Sequence, residues 1–205
     1  MKDNTVSQFR QQKKCIQCGT CCINNAPTLH IEDIPLIEKG IISKKHLYTI
    51  RAGEKVYNNV YGKIETLDNE IIKIKGLKNS WTCYFYQCLE KKCSIYENRP
   101  FECRILKCWD TDDFIKKYLQ TRLTRKNIIN KNSALFEIIE DHEKKCSFEI
   151  INNLLNKNNH LPGQKKLKEI INYDYHIRNL MITKGKIDHL ILDFLFGRPL
   201  TNILN

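Results

Sequence analysis

The chain has 205 residues, 41% of them hydrophobic and 28% charged, with a formal net charge of +11. That size fits one domain, or one domain with a helical extension, and the apolar content excludes wholesale disorder. No run approaches the roughly eighteen apolar residues of a membrane-spanning helix, the polar stretch Met1–Lys14 has no apolar core of a secretory signal, and the positive charge is spread too evenly for a nucleic-acid-binding arm, +6 over residues 1–110 and +5 over 111–205.

Residues 1–14 read as a polar leader. Thr28 is placed to cap a helix that carries Pro35 in its first turn and ends at Gly40. Residues 54–78 change period, with Val56, Val60, Ile64, Ile71, Ile72 and Ile74 among turn formers, which predicts a small β region turning at Asp68–Asn69. Trp81–Tyr86 is a further candidate strand. Pro100 opens a short helix over 100–107, and residues 112–122 form the next. Over 133–156 the residues Leu135, Ile138, Ile139, His142, Cys146, Ile150 and Leu154 share one helical face behind Ser133 as cap. Two more helices follow, 164–183 and 187–196, the last closed by Gly197. The fold class expected is α+β and helix-dominated: a metal-stapled cysteine-rich region over 15–110 with a small β region, then a helical subdomain over 111–205.

Ten cysteines dominate the chemistry. They cluster as Cys15, Cys18, Cys21 and Cys22, then Cys83, Cys88, Cys93, Cys103 and Cys108, with Cys146 alone. Without an export signal the expected compartment is the reducing cytoplasm, where such spacing means metal or redox chemistry rather than disulfides. Three thiols at intervals of three residues wrap a loop around one corner of a metal site, and Gly19 permits the tight turn. Bacterial ferredoxins use this C-x2-C-x2-C spacing for three ligands of a [4Fe–4S] cluster. A C-x2-C pair equally suits tetrahedral zinc. Adjacent Cys21 and Cys22 are expected to point different ways and serve different centres. Eight thiols supply two four-ligand centres, and the expected set is Cys15, Cys18, Cys21, Cys22, Cys83, Cys93, Cys103 and Cys108. Cys88 is then the odd one out. Cys146 and His142, four apart on one face, could reach a metal or pack as buried helix residues.

The phrase Cys93-Ser94-Ile95-Tyr96-Glu97-Asn98-Arg99-Pro100-Phe101-Glu102-Cys103-Arg104, together with Cys15–Cys22 around Gly19, closely resembles the YkgJ-like cysteine cluster proteins, which are described as zinc- or iron-chelating domains. The resemblance covers about residues 15–108. It implies Cys15, Cys18, Cys21, Cys22, Cys83, Cys93 and Cys103 as metal ligands and Tyr96, Arg99, Pro100 and Arg104 as framework. It does not choose between zinc and iron, and it names no reaction. Flagellin lysine methylases carry a similar cluster within a longer chain.

The sequence shows no phosphate-binding glycine loop, H-E-x-x-H or G-x-S-x-G. The leading expectation is a cytoplasmic protein with two cysteine-ligated centres, iron–sulfur favoured over zinc on spacing, serving electron transfer or metal-dependent maturation. One alternative is a cluster-dependent protein-modifying enzyme of the methylase kind. Another is a zinc-stabilised module that meets a protein partner through its helical half. Neither a membrane nor a nucleic acid is an expected partner.

Overall fold

The computed structural model describes residues 13–78, 80–156 and 161–204. Helices α1 (Thr20–Asn24) and α2 (Ile34–Glu38) lead into two nested strand pairs. Strand β1 (Leu47–Ile50) pairs antiparallel with β4 (Ile71–Ile74), aligning Leu47 with Ile74 and Ile50 with Ile71. Between them β2 (Lys55–Asn58) pairs with β3 (Lys63–Thr66). The hairpin therefore turns over residues 59–62, where Gly62 takes φ +63, and not at Asp68–Asn69, which joins β3 to β4. The local pattern identified β2, β3 and β4 but missed β1, which lies outside residues 54–78, and the long-range β1–β4 pairing leaves no local signature.

A two-residue ladder follows, β5 (Tyr86–Gln87) with β6 (Lys92–Cys93). Of the strand expected over Trp81–Tyr86, Cys83 forms one isolated bridge, to Gly76, and Tyr86 opens β5. Helices α3 (Phe101–Ile105) and α4 (Asp112–Lys117) close this part. Thr28 does not cap a helix: it bridges to Lys73 and extends the small sheet, and Asp33 stands at the start of α2.

The long helix expected over 133–156 is two, α5 (Ala134–Lys145) and α6 (Phe148–Asn156). Ser133 caps the first, accepting from Phe136 N at 3.2 Å. The helix stops at Cys146, and Ser147 accepts from Glu149 N at 3.2 Å. A serine that can satisfy the free amides of a new first turn competes with helix continuation. Then come α7 (Leu161–Thr183), α8 (Leu192–Phe196) and α9 (Leu200–Ile203), the last of which the sequence pattern did not indicate. Gly197, with φ +74, ends α8; a Cβ there would meet Arg51 Cγ at 3.0 Å.

One apolar core joins the cysteine-rich stretch to the helical one. Leu29, Leu47, Ile72, Ile74, Phe85 and Tyr86 share it with Phe136, Ile139, Phe194 and Phe196. Thr49 Oγ1 in β1 donates to the Phe194 carbonyl of α8 at 2.7 Å. A second, smaller cluster gathers Cys146, Phe148, Ile151, Ile170 and Leu200. Buried Asp174 ties three helices: it accepts from His142 Nε2 (2.8 Å), Arg178 Nε (2.9 Å) and Leu200 N (3.0 Å). Among the described residues no helix is long and apolar enough to cross a membrane.

Candidate metal centre

The first cysteine motif is a loop that ends in a single helical segment. Gly19 takes φ +79, which only glycine adopts cheaply, and its backbone turns directly into α1 with Cys21 and Cys22. A second constraint also requires glycine there. A Cβ on Gly19 would sit 2.1 Å from the Tyr86 hydroxyl oxygen, so the phenol end of Tyr86 occupies the space beside the loop. The loop is pinned on the other side by Cys83 N, which donates to the Cys22 carbonyl at 2.7 Å.

The second motif arrives on three different elements. Cys83 lies in the segment bridged to Gly76, Cys93 in β6 opposite Tyr86, and Cys103 on α3. Two buried acids bring α3 against the stretch that follows the first motif. Asp33 accepts from Phe101 N at 2.7 Å, which satisfies a free amide at the start of α3, and from His30 N at 3.0 Å. Glu102 accepts from Thr28 N at 2.7 Å and faces His30 Nε2 at 3.4 Å. Arg99 and Arg104 secure the loop before α3 through the carbonyls of Tyr96 and Arg99, each at 2.9 Å. These are framework contacts, as the resemblance implied.

The thiols from both motifs converge. Cys22 lies in the field of Cys21, Cys83 and Cys103; Cys103 lies in that of Cys21, Cys83 and Cys93; Cys83 lies in that of Cys21 and Cys93. Burial is the larger cause that pushes Cys83 up to about 11 and raises Cys93 and Cys103, and neighbouring sulfur charge adds to it. The adjacent pair behaves differently. A hydrogen bond shared between the Cys21 and Cys22 sulfurs is the first cause that holds Cys21 down at about 6 and drives Cys22 up. Cys18 is also lowered, first by its hydrogen bond with Thr20 Oγ1 at 3.4 Å.

Cys21 and Cys22 do not diverge as expected. Both stand at the start of α1, and their sulfurs are 4.0 Å apart. Zinc–thiolate bonds of about 2.3 Å at tetrahedral angles set sulfurs about 3.8 Å apart, so one ion fits this pair. Among the described residues no three His, Cys, Asp or Glu side chains are already drawn tightly enough to hold an ion. The donor set nevertheless fits a thiophilic metal, because a cation in its midst would stabilise the thiolates that burial, and after it neighbouring sulfur charge, disfavour at Cys83, Cys93 and Cys103.

The remaining cysteines are less gathered. Cys15 and Cys18 are exposed, and Cys15 Sγ accepts from Gln17 N at 3.3 Å. Cys108 is exposed in the turn closed by Lys107 and Asp110. Cys88 lies, with Cys18, Cys21 and Cys22, in the surroundings of Tyr86. Cys146 is buried in the second apolar cluster, its thiol 3.8 Å from the Ile170 carbonyl and pushed up to about 12 by burial. His142, one turn before it, is fully buried on Asp174. Asp33, Glu102 and Tyr86, which bring the thiols together, do so through contacts far apart in sequence; the glycine at position 19 is the one local hint of such a contact.

The site is thus a cysteine loop and thiols from distant elements held on a small helix-dominated scaffold. Residues 14–120, just over half of the chain, match the CxxCxxCC family, described as a "putative zinc- or iron-chelating domain". The chain belongs to that family. Neither the curated proteins nor the solved structures contain a match.

Proposed function

We propose that this protein holds two cysteine-ligated centres, formed from Cys15, Cys18, Cys21, Cys22, Cys83, Cys93, Cys103 and Cys108, with iron–sulfur as the leading content. The observation that carries the reading is the convergence of Cys21, Cys22, Cys83, Cys93 and Cys103 from four separate elements into one electrostatic neighbourhood. The C-x2-C-x2-C spacing supports a cluster, which supplies one-electron chemistry when bound and so serves electron transfer or metal-dependent maturation. The chain's own contribution is positional. Asp33 and Glu102 hold α3 in place, Tyr86 covers the Gly19 loop, and the Arg99 charge eases the ionisation of Cys93. The 4.0 Å separation of Cys21 and Cys22 favours a second reading, a zinc-stabilised module.

The test is an absorption spectrum with iron, zinc and sulfide analysis on anaerobically purified protein. Brown protein absorbing near 400 nm, with about four to eight iron and matching sulfide, supports clusters. Colourless protein with one or two tightly held zinc supports the second reading. Protein with neither metal and with oxidised thiols refutes both.

A further inference from the structure

Beside the thiol region, walled by β1, β4, the β2–β3 hairpin and the chain around α4, lies a cavity of about 510 Å³. That is the size of a pocket for a small organic molecule, about 300 to 1,000 Å³. Part of its wall is apolar, with Ile50, Val56, Leu67, Ile71 and the Phe114 ring. The rest is rich in donors and cations.

Four cations line it, Lys55, Lys73, Arg122 and Arg198, against two carboxylates, Glu65 and Glu102. Both carboxylates have other partners. Glu102 faces Thr28 N and His30, and Glu65 accepts from Asn58 Nδ2 at 2.8 Å. Arg198 is paired with Glu54. Lys55, Lys73 and Arg122 remain, none within ion-pair distance of any described carboxylate; Lys55 is exposed, whereas Lys73 and Arg122 are half-buried. Lys73 Nζ donates only to the Ala26 carbonyl (2.7 Å) and, at 3.5 Å, toward Thr28 Oγ1. Arg122 uses Nε on the Tyr118 carbonyl at 2.8 Å, which leaves its two terminal nitrogens for another acceptor. Burial is the largest influence on Lys73 and lowers it; Glu102 opposes that from beyond ion-pair distance, and Arg122 adds to it, so the two cations feel each other. Two buried or half-buried cations facing one partly apolar cavity favour an acceptor that is both anionic and amphipathic.

We infer that this cavity binds a small organic oxyanion, a carboxylate or phosphate ester with an aromatic or branched apolar body, its head on Lys73 and Arg122 and its body against Val56, Leu67 and Phe114. The inference stands on the cavity wall and holds for either metal content of the thiols.

Trp81 also lines the cavity, and the chain has two tryptophans. Substituting the other, Trp109→Phe, makes Trp81 fluorescence a direct reporter. The purified protein would be titrated with 3-phenylpropionate, phenyl phosphate, uncharged 3-phenylpropanol and inorganic phosphate. Saturable quenching by 3-phenylpropionate or phenyl phosphate is expected, at least about tenfold tighter than by the alcohol or by inorganic phosphate. The tighter of the two organic anions identifies the head group. Arg122→Gln, and independently Lys73→Met, should each weaken that binding about tenfold while the circular dichroism spectrum stays unchanged. Equal binding of the alcohol or of inorganic phosphate would overturn the inference. So would unchanged affinity in a folded variant, or no saturation by any probe up to about 10 mM.

Discussion

Replacing Gly19 by alanine tests how the first cysteine loop is held, and its size can be worked out from two terms. At φ +79 an L-residue costs about 1–2 kcal/mol of backbone free energy. The new Cβ would also stand 2.1 Å from the Tyr86 oxygen, 2.5 Å from Cζ and 2.9 Å from Cε2. Tyr86 is buried among Cys83, Phe85 and Ile74, so its ring cannot retreat without disturbing the core. Overpacking of this kind adds about 1–3 kcal/mol. The expected loss is therefore about 2–5 kcal/mol. Gly40 supplies the control. Its φ is +72, but a Cβ there meets nothing within 4 Å, so Gly40→Ala should cost the backbone term alone. Urea unfolding of both variants under reductant, with iron and zinc content measured alongside, separates the two terms. Gly19→Ala should also lower the bound metal, because the loop and α1 move together. Equal destabilisation of the two variants, within about 0.5 kcal/mol, would refute the argument that Tyr86 clamps the loop.

Asp33→Ala should cost about 2–4 kcal/mol, since it leaves the buried amides of His30 and Phe101 unpartnered; a urea midpoint unchanged from the parent would contradict the anchoring role given to it. Stability should fall on acidification in two stages. Burial keeps His142 neutral in the fold, lowering it from its usual value despite Asp174, so between about pH 7 and 5 the unfolded chain takes up a proton that the fold resists. Asp174 is held below the usual carboxylate range by His142, Arg178 and Leu200 against its burial, and its contribution is lost as pH falls through that depressed value. Urea midpoints at pH 7.5 and 5.5 should converge in His142→Gln, leaving the share due to His46, which is likewise lowered mainly by burial; an unchanged slope would count against the assignment. Cys83→Ser should lower metal content more than Cys146→Ser, because Cys83 lies among the converging thiols and Cys146 in a separate apolar cluster; equal loss in elemental analysis would contradict that placement. A strong chelator, added anaerobically, should lower the thermal midpoint by several degrees if the thiols hold zinc or iron in the fold, and an unmoved midpoint with the metal removed would show that the scaffold stands without it.

The family of this chain was readable from sequence, because cysteine spacing and the R-P-x-x-C-R phrase are one-dimensional signals. Of the helical face, Ile139 and His142 were equally plain, and Ser133 announced where it begins, but Phe136, buried beside them, was not picked out. What escaped was set by contacts between distant residues. Nothing near Asp33 indicates that it serves Phe101, and nothing near Leu47 indicates that its partner is Ile74. The divergence expected of Cys21 and Cys22 failed because two neighbours at a helix start can both swing their sulfurs to one side. The break at Cys146 was hidden by a continuous apolar face that the capping power of Ser147 interrupts. Nothing local marks Lys73 and Arg122, which β4 and the chain after α4 bring to one cavity.

The seam between β1 and α8 has a consequence for the order in which this molecule matures. Thr49 is made early, but the Phe194 carbonyl that its hydroxyl bonds lies 145 residues further along. Phe194, Leu195 and Phe196 are almost wholly buried in the core shared with Leu47 and Ile74. On a ribosome adding about 5–20 residues per second, the thiols would emerge well before α8 could arrive to close the scaffold around them. For that interval the nascent chain would present reactive sulfur without its finished frame. The surroundings that the thiols have in the finished fold are thus complete only once the last helices have been made.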